Sequence, residues 1–96
     1  MTKKQPVGFQ VSISARDDGT LEAVYVYFSN AKVSKTKEIV PDVLLVDYDS
    51  SGEIVGFEIL EPVKLSQLTK LVPTPRRQPF RRFIEQYAPE DLILTK

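Results

Sequence analysis

The chain has no cysteine, no histidine and no tryptophan. Without thiols it can form no disulfide and run no thiolate chemistry. Without imidazole it lacks the commonest general base and the commonest zinc ligand. A serine nucleophile would need a lysine or carboxylate partner, and no motif supplies one. Long apolar runs are missing too. No stretch approaches the roughly 20 apolar residues of a membrane helix, and the opening MTKKQPVGFQVSIS lacks the continuous apolar core of a signal peptide. These absences lead us to expect a cytoplasmic protein that is not an enzyme and carries no cofactor.

What is present is enough for one core. Hydrophobic residues make up 42% of 96, an ordinary globular share and too high for a disordered chain. We read a single domain over 1–96, divided into a β-rich part, 1–62, and a basic, proline-containing helical tail, 63–96. The net charge is zero, yet unevenly spread. Residues 1–62 hold ten acids against six bases, and residues 63–96 hold seven bases against three acids. Opposite poles of this kind can attract each other or a partner.

Along the chain, Phe9, Val11 and Ile13 alternate with Gln10, Ser12 and Ser14 in the period-two pattern of a strand. Asp17-Asp18-Gly19 is a hairpin turn, with glycine at the position that needs a positive φ. The returning strand, LEAVYVYFS, puts Val24, Val26 and Phe28 on one face and Ala23, Tyr25 and Tyr27 on the other. Both faces are substantially apolar, so the pattern predicts a central strand covered on both sides. The lysine-bearing run from Val33 to Ile39 reads as an exposed strand ended by Pro41. Two more runs, 43–48 and 53–60, flank Asp49-Ser50-Ser51-Gly52. After Pro62 the period changes. Leu65, Leu68 and Leu71 suggest a short helix capped by Ser66, and VPTPRRQP is too rich in proline to be regular. Phe80, Phe83, Ile84 and Tyr87 share one stripe of a helix begun by Pro79. The residues after Pro89 fit either a last helical turn or a short strand. The expected fold is α+β: a four- to five-stranded antiparallel β-meander, then two short helices packed on one face.

The stretch DYDSSGEIVGFE, Asp47 to Glu58, fits the twelve-residue template of a calcium-binding helix–loop–helix loop. Its flanks read as strands, its ninth position is Val55, and no second loop exists to pair with it. Ser50-Ser51-Gly52 fits a type I turn with a glycine bulge. In that register Asp47 faces Val55 and Leu44 faces Glu58, which sends Asp47 and Glu58 to opposite faces. Asp49, Ser50, Ser51 and Gly52 are then structural turn residues, and Gly56 marks the close approach of a neighbouring side chain. Weak surface binding of a divalent ion by Asp47 and Asp49 is the remaining metal reading.

The motifs A-V-Y-V-Y-F and V-D-Y-D-S-S-G-E-I-V-G-F-E-I-L, within residues 21 to about 65, resemble the bacterial domain-of-unknown-function family numbered 2283. The resemblance implies a small antiparallel sheet with no established activity, and an antitoxin-like or partner-binding role. The Asp-Asp-Gly hairpin with its added first strand departs from the family pattern, and the basic tail lies outside it.

Three functions follow from the residues. The leading expectation is a protein-interaction module, either a homo-oligomer or bound to another chain, with Tyr25 and Tyr27 on the contacting face. The alternative is nucleic-acid binding through Arg76, Arg77, Arg81 and Arg82, interleaved with Phe80 and Phe83. An enzyme would have to work with Asp47, Asp49 or Glu58 as acid and base, without a second catalytic partner.

Overall fold

The computed structural model describes residues 8–95. Five antiparallel strands form one sheet: β1 (Gln10–Ala15), β2 (Leu21–Tyr27), β3 (Lys35–Val40), β4 (Leu44–Tyr48) and β5 (Ile54–Ile59). Their spatial order is β1-β2-β5-β4-β3. The antiparallel α+β fold is therefore as expected, but the strands do not follow one another as in a continuous meander. β3, β4 and β5 do form a meander, and its last strand docks beside β2. Residues 28–34 must cross three strand spacings, roughly 14 Å, and seven residues at about 3.3 Å each reach that easily. Phe28 N–H to the Val55 carbonyl (2.7 Å) and Ser34 N–H to the Tyr48 carbonyl (2.8 Å) pin the crossing at its two ends.

Two hairpins are built alike. Arg16 N–H donates to the Thr20 carbonyl (2.8 Å) and Gly19 N–H to the Arg16 carbonyl (2.9 Å). Asp49 N–H donates to the Glu53 carbonyl (2.9 Å) and Gly52 N–H to the Asp49 carbonyl (3.0 Å). Gly19 and Gly52 take φ of 89° and 87°, where a Cβ is disfavoured. The β3–β4 turn instead places Asp42 at φ 60°, its N–H donated to Glu38 Oε2 at 2.9 Å.

After the sheet come a two-residue strand β6 (Val63–Lys64), helix α1 (Leu65–Thr69), a 3-10 turn over Thr74–Arg76, helix α2 (Arg77–Tyr87) and strand β7 (Ile93–Leu94), which runs parallel to β6. Ser66 is not the cap. It lies inside α1, and the Gln67 side chain accepts the Lys64 N–H at 2.9 Å instead. The proline-rich joint is also more regular than expected. Pro75 sits in the 3-10 turn and Pro79 in the first turn of α2, where an N–H would have no helical partner to lose.

All of these elements lie on one side of the sheet. Val24, Val26, Phe28, Leu44, Val46, Phe57 and Ile59 meet Leu65, Leu68, Val72, Phe80, Ile84 and Ile93 in a single core. Phe28, Phe57 and Phe80 form its centre, with ring centroids 5.3 to 6.0 Å apart, the spacing of favourable aromatic pairs. Two expectations are corrected. β2 is interior, but among the described residues helices cover only its Val24, Val26 and Phe28 face. Tyr87, placed on the buried stripe of α2 by its spacing, is 63% exposed at the helix end.

Gly56 lies on the central strand, and a Cβ there would stand 2.5 Å from the Val26 carbonyl oxygen. The Tyr27 ring, the kind of close side chain expected from the sequence, stands at 3.4 Å, but the nearest neighbour is backbone, and a main chain held in a ladder cannot move aside. Gly56→Ala should therefore cost about 2 kcal/mol or more, whereas Gly19→Asn, which keeps a residue tolerant of positive φ, should cost less than about 1 kcal/mol. Urea unfolding of the two variants beside the parent checks this.

Candidate interaction face

The strand register assigns the helix-free face. Tyr25 stands opposite Ser12 and Glu58, and Tyr27 opposite Gln10 and Gly56. Across β4, Glu58 faces Leu45 and Gly56 faces Asp47. On β3, Leu45 faces Glu38 and Asp47 faces Thr36. Antiparallel partners share a face, so Tyr25, Tyr27, Leu45, Glu38, Asp47 and Glu58 all look away from the helices. Lys35 and Lys37 face Tyr48 and Val46 on the helical side. The described strand residues on the helix-free face include the carboxylates Glu38, Asp47 and Glu58, with Glu22 bulged beside them and accepting from the Ser14 hydroxyl at 3.1 Å, and no lysine or arginine.

This corrects the expected register. Asp47 faces Gly56, not Val55, and Glu58 faces Leu45, not Leu44. Beyond the glycine bulge at the turn lies a second irregularity, between Asp47 and Tyr48, at which Val55 is the extra residue. One extra residue reverses the face of everything after it. Asp47 and Glu58 therefore share a face, where a single bulge had separated them.

The centre of the face, at Tyr25, Tyr27, Leu45, Asp47 and Glu58, is half-buried and ordered by its own hydrogen bonds. Tyr25 and Tyr27 stack with centroids 6.3 Å apart and planes 9° from parallel. The Tyr25 hydroxyl donates to Glu58 Oε2 at 3.2 Å, and the Thr36 hydroxyl donates to Asp47 Oδ1. The Glu58 carboxylate beside it pushes the Tyr25 hydroxyl above its usual pKa, with desolvation adding to the effect. Tyr25 is thus a neutral donor throughout the physiological range.

The hairpin tip spends its carboxylate locally. Asp49 Oδ1 accepts from the Ser51 N–H (2.9 Å), the Ser51 hydroxyl (2.7 Å) and the Glu53 N–H (3.0 Å). Ser50 is exposed at the tip. Strands, not helices, flank this loop, so it is not the helix–loop–helix calcium site that its spelling suggests. Among the described residues, no three of Asp, Glu, His or Cys gather as a metal site would require.

The four arginines have divided fates. The Arg76 guanidinium lies 4.7 Å from the Phe9 ring centre and 5.2 Å from that of Phe28. Arg77 donates through Nε to the Val72 carbonyl at 2.8 Å and reaches the Lys70 carbonyl at 3.3 Å. Arg81 pairs with Glu85 at 3.8 Å, and Arg82 is exposed. Arg76 is thus spent on the core, Arg77 on the tail's main chain and Arg81 on a pair within α2. Leu45, Glu38 and the shared face of Asp47 and Glu58 were not singled out from sequence. Strand alternation could have suggested Leu45, but the second bulge leaves no compositional trace.

Asp18 and Asp49 carry the acid sensitivity of the two hairpins. The Thr20 hydroxyl holds Asp18 below its usual value of 3.8, and the Ser51 hydroxyl, then the Glu53 N–H, does the same for Asp49. A lowered folded pKa gives stability that is present above the unfolded value and lost as pH falls through the folded one. Urea midpoints should therefore decline below about pH 4, and Asp49→Asn should flatten part of that decline. An unchanged acid limb in Asp49→Asn would show that Asp49 contributes nothing to it.

Among the described residues, no helix is long and apolar enough to cross a membrane. No curated protein and no solved structure matches the chain. The family model described as "Protein of unknown function (DUF2283)" matches residues 18–61. Those residues run from the β1–β2 turn to the end of β5 and include most of the helix-free face, while β1 and both helices lie outside them. The match over the segment forming β2 to β5 supports the family that its motifs resemble.

Proposed function

We propose that the protein is an interaction module whose helix-free sheet face binds a basic protein surface. The observation that carries this reading is one face with two stacked tyrosines, Leu45 and the carboxylates Glu38, Asp47 and Glu58, and no cation among its described strand residues. Tyrosine rings attract lysine and arginine heads through their negative faces, and the carboxylates supply charge-assisted partners. Two copies meeting through this face would set like charges against each other, which favours a different chain as the partner. An antitoxin-like role fits the same chemistry, since a protein that works on nucleic acid presents a basic surface that an acidic face can cover. In this reading the chain is not an enzyme: Asp47 and Glu58 are engaged by Thr36 and Tyr25 as parts of the binding face.

The alternative, nucleic-acid binding by the tail, has less support, because Arg76 and Arg77 are occupied within the fold and the remaining footprint is small.

The test is capture from native lysate by tagged protein, eluted in salt steps and assayed for both protein and nucleic acid. A stoichiometric basic protein should be retained by the parent and by Arg82→Glu. Glu58→Lys combined with Tyr27→Ala should weaken its binding about tenfold or more, or ~1.4 kcal/mol. Nucleic acid captured by the parent and lost in Arg82→Glu would overturn the reading.

A further inference from the structure

The two edges of the sheet are unlike. The β3 edge carries Lys35 and Lys37, a register shift at Ile39 and Pro41 just beyond, the usual guards against strand addition. The β1 edge, Gln10–Ala15, carries no charge and no proline, and among the described residues no strand lies beyond it. Ile13 on this edge is 50% exposed, and so is much of Tyr87 nearby. A groove of about 430 Å³ runs along the start of β1, lined by Phe9, Val11, Ser12, Phe83 and Tyr87, with Tyr27 on the other side of the strand.

The direction of the main-chain groups follows from the hairpin. Arg16 turns both its N–H and its carbonyl toward the returning strand. Alternation then sends those of Ser14, Ser12 and Gln10 to β2, and those of Ile13 and Val11 outward. Two copies related by a two-fold axis at Ser12 would therefore set Val11 against the partner's Ile13, exchanging pairs of hydrogen bonds. Every side-chain match is like with like: Val11 with Ile13, Ser12 with Ser12, Gln10 with Ser14. A two-fold contact brings each residue near its own copy, so charge at its centre would repel. β1 has none. Each exposed Ile13 would also cover the mouth of the partner's groove.

We propose that the protein forms a two-fold dimer by antiparallel pairing of β1 with β1, giving one ten-stranded sheet. The helix-free faces then lie side by side and stay open, so this contact is independent of the partner-binding reading above.

The test is sedimentation of the full chain from ~1 to ~100 µM, with single-cysteine variants in a chain that otherwise has none. The parent should sediment as a dimer within this range. Ile13→Lys should be monomeric with an unchanged circular dichroism spectrum, since the side chain is already half in water. Ser12→Cys should cross-link to its copy on mild oxidation, because facing residues at a pair that exchanges no hydrogen bonds sit close enough for a disulfide; Lys35→Cys, on the other edge, should not. A parent that stays monomeric across the range overturns the proposal. So does a dimer that survives Ile13→Lys, or one that cross-links through Lys35→Cys and not through Ser12→Cys. If Ile13→Lys fails to fold, the cross-linking pair decides alone.

Discussion

The insertion of β5 between β2 and β4 is the constraint on which the rest of this structure depends. β5 places Phe57 and Ile59 against the helices and leaves no room for a side chain at Gly56, where the Val26 carbonyl passes. With β5 in the middle, β2, β5 and β4, which bear the fully buried residues of this sheet, each have a neighbour on both sides. The crossing of residues 28–34 is required by this order. Phe28, at the start of that crossing, is drawn into the core where it stacks on Phe80. Thus one glycine and one phenylalanine link the sheet order to the docking of the tail.

The tail in turn makes the molecule two-sided. Its apolar residues cover one face of the sheet, and its basic residues extend over the outside of that cover. Arg76 is part of the cover rather than of the charged surface, since it lies on Phe9 and Phe28. The uneven charge along the chain becomes a charge difference between two sides: a basic helical side, joined by Lys35 and Lys37, and an acidic sheet face. A fold of this size could have buried both sheet faces only with a second layer of helices. The chain spends its 96 residues on one layer, and the other face is left to contacts from outside.

Much of this was legible in the residues. Period-two alternation located the strands, Asp-Asp-Gly and Asp-Ser-Ser-Gly located the turns, and the stripe of Phe80, Phe83 and Ile84 located the second helix. The misreadings have specific physical causes. Ser66 looked like a cap because serine commonly is one, but Gln67 filled that role. Tyr87 fell on the apolar stripe, yet it is the last residue of the helix and stays largely in solvent. The resemblance of residues 21–65 to DUF2283 was readable because a dense motif carries it, and the match over 18–61 lies on the same strands.

What the sequence by itself determined was local: where the chain extends, where it turns, which helical face is apolar, and that no thiol or imidazole chemistry is available. Tertiary structure decided which strands are neighbours, whether Asp47 and Glu58 share a face, and which arginines are spent inside the fold. The reason is that alternation fixes a strand's two faces but not its partner. The same alternation fits several strand orders, and a bulge of one residue at Val55 reverses every later side chain without altering the composition. Pairing is settled by packing at a distance, where the Phe28, Phe57 and Phe80 rings meet and Gly56 lets two backbones close together.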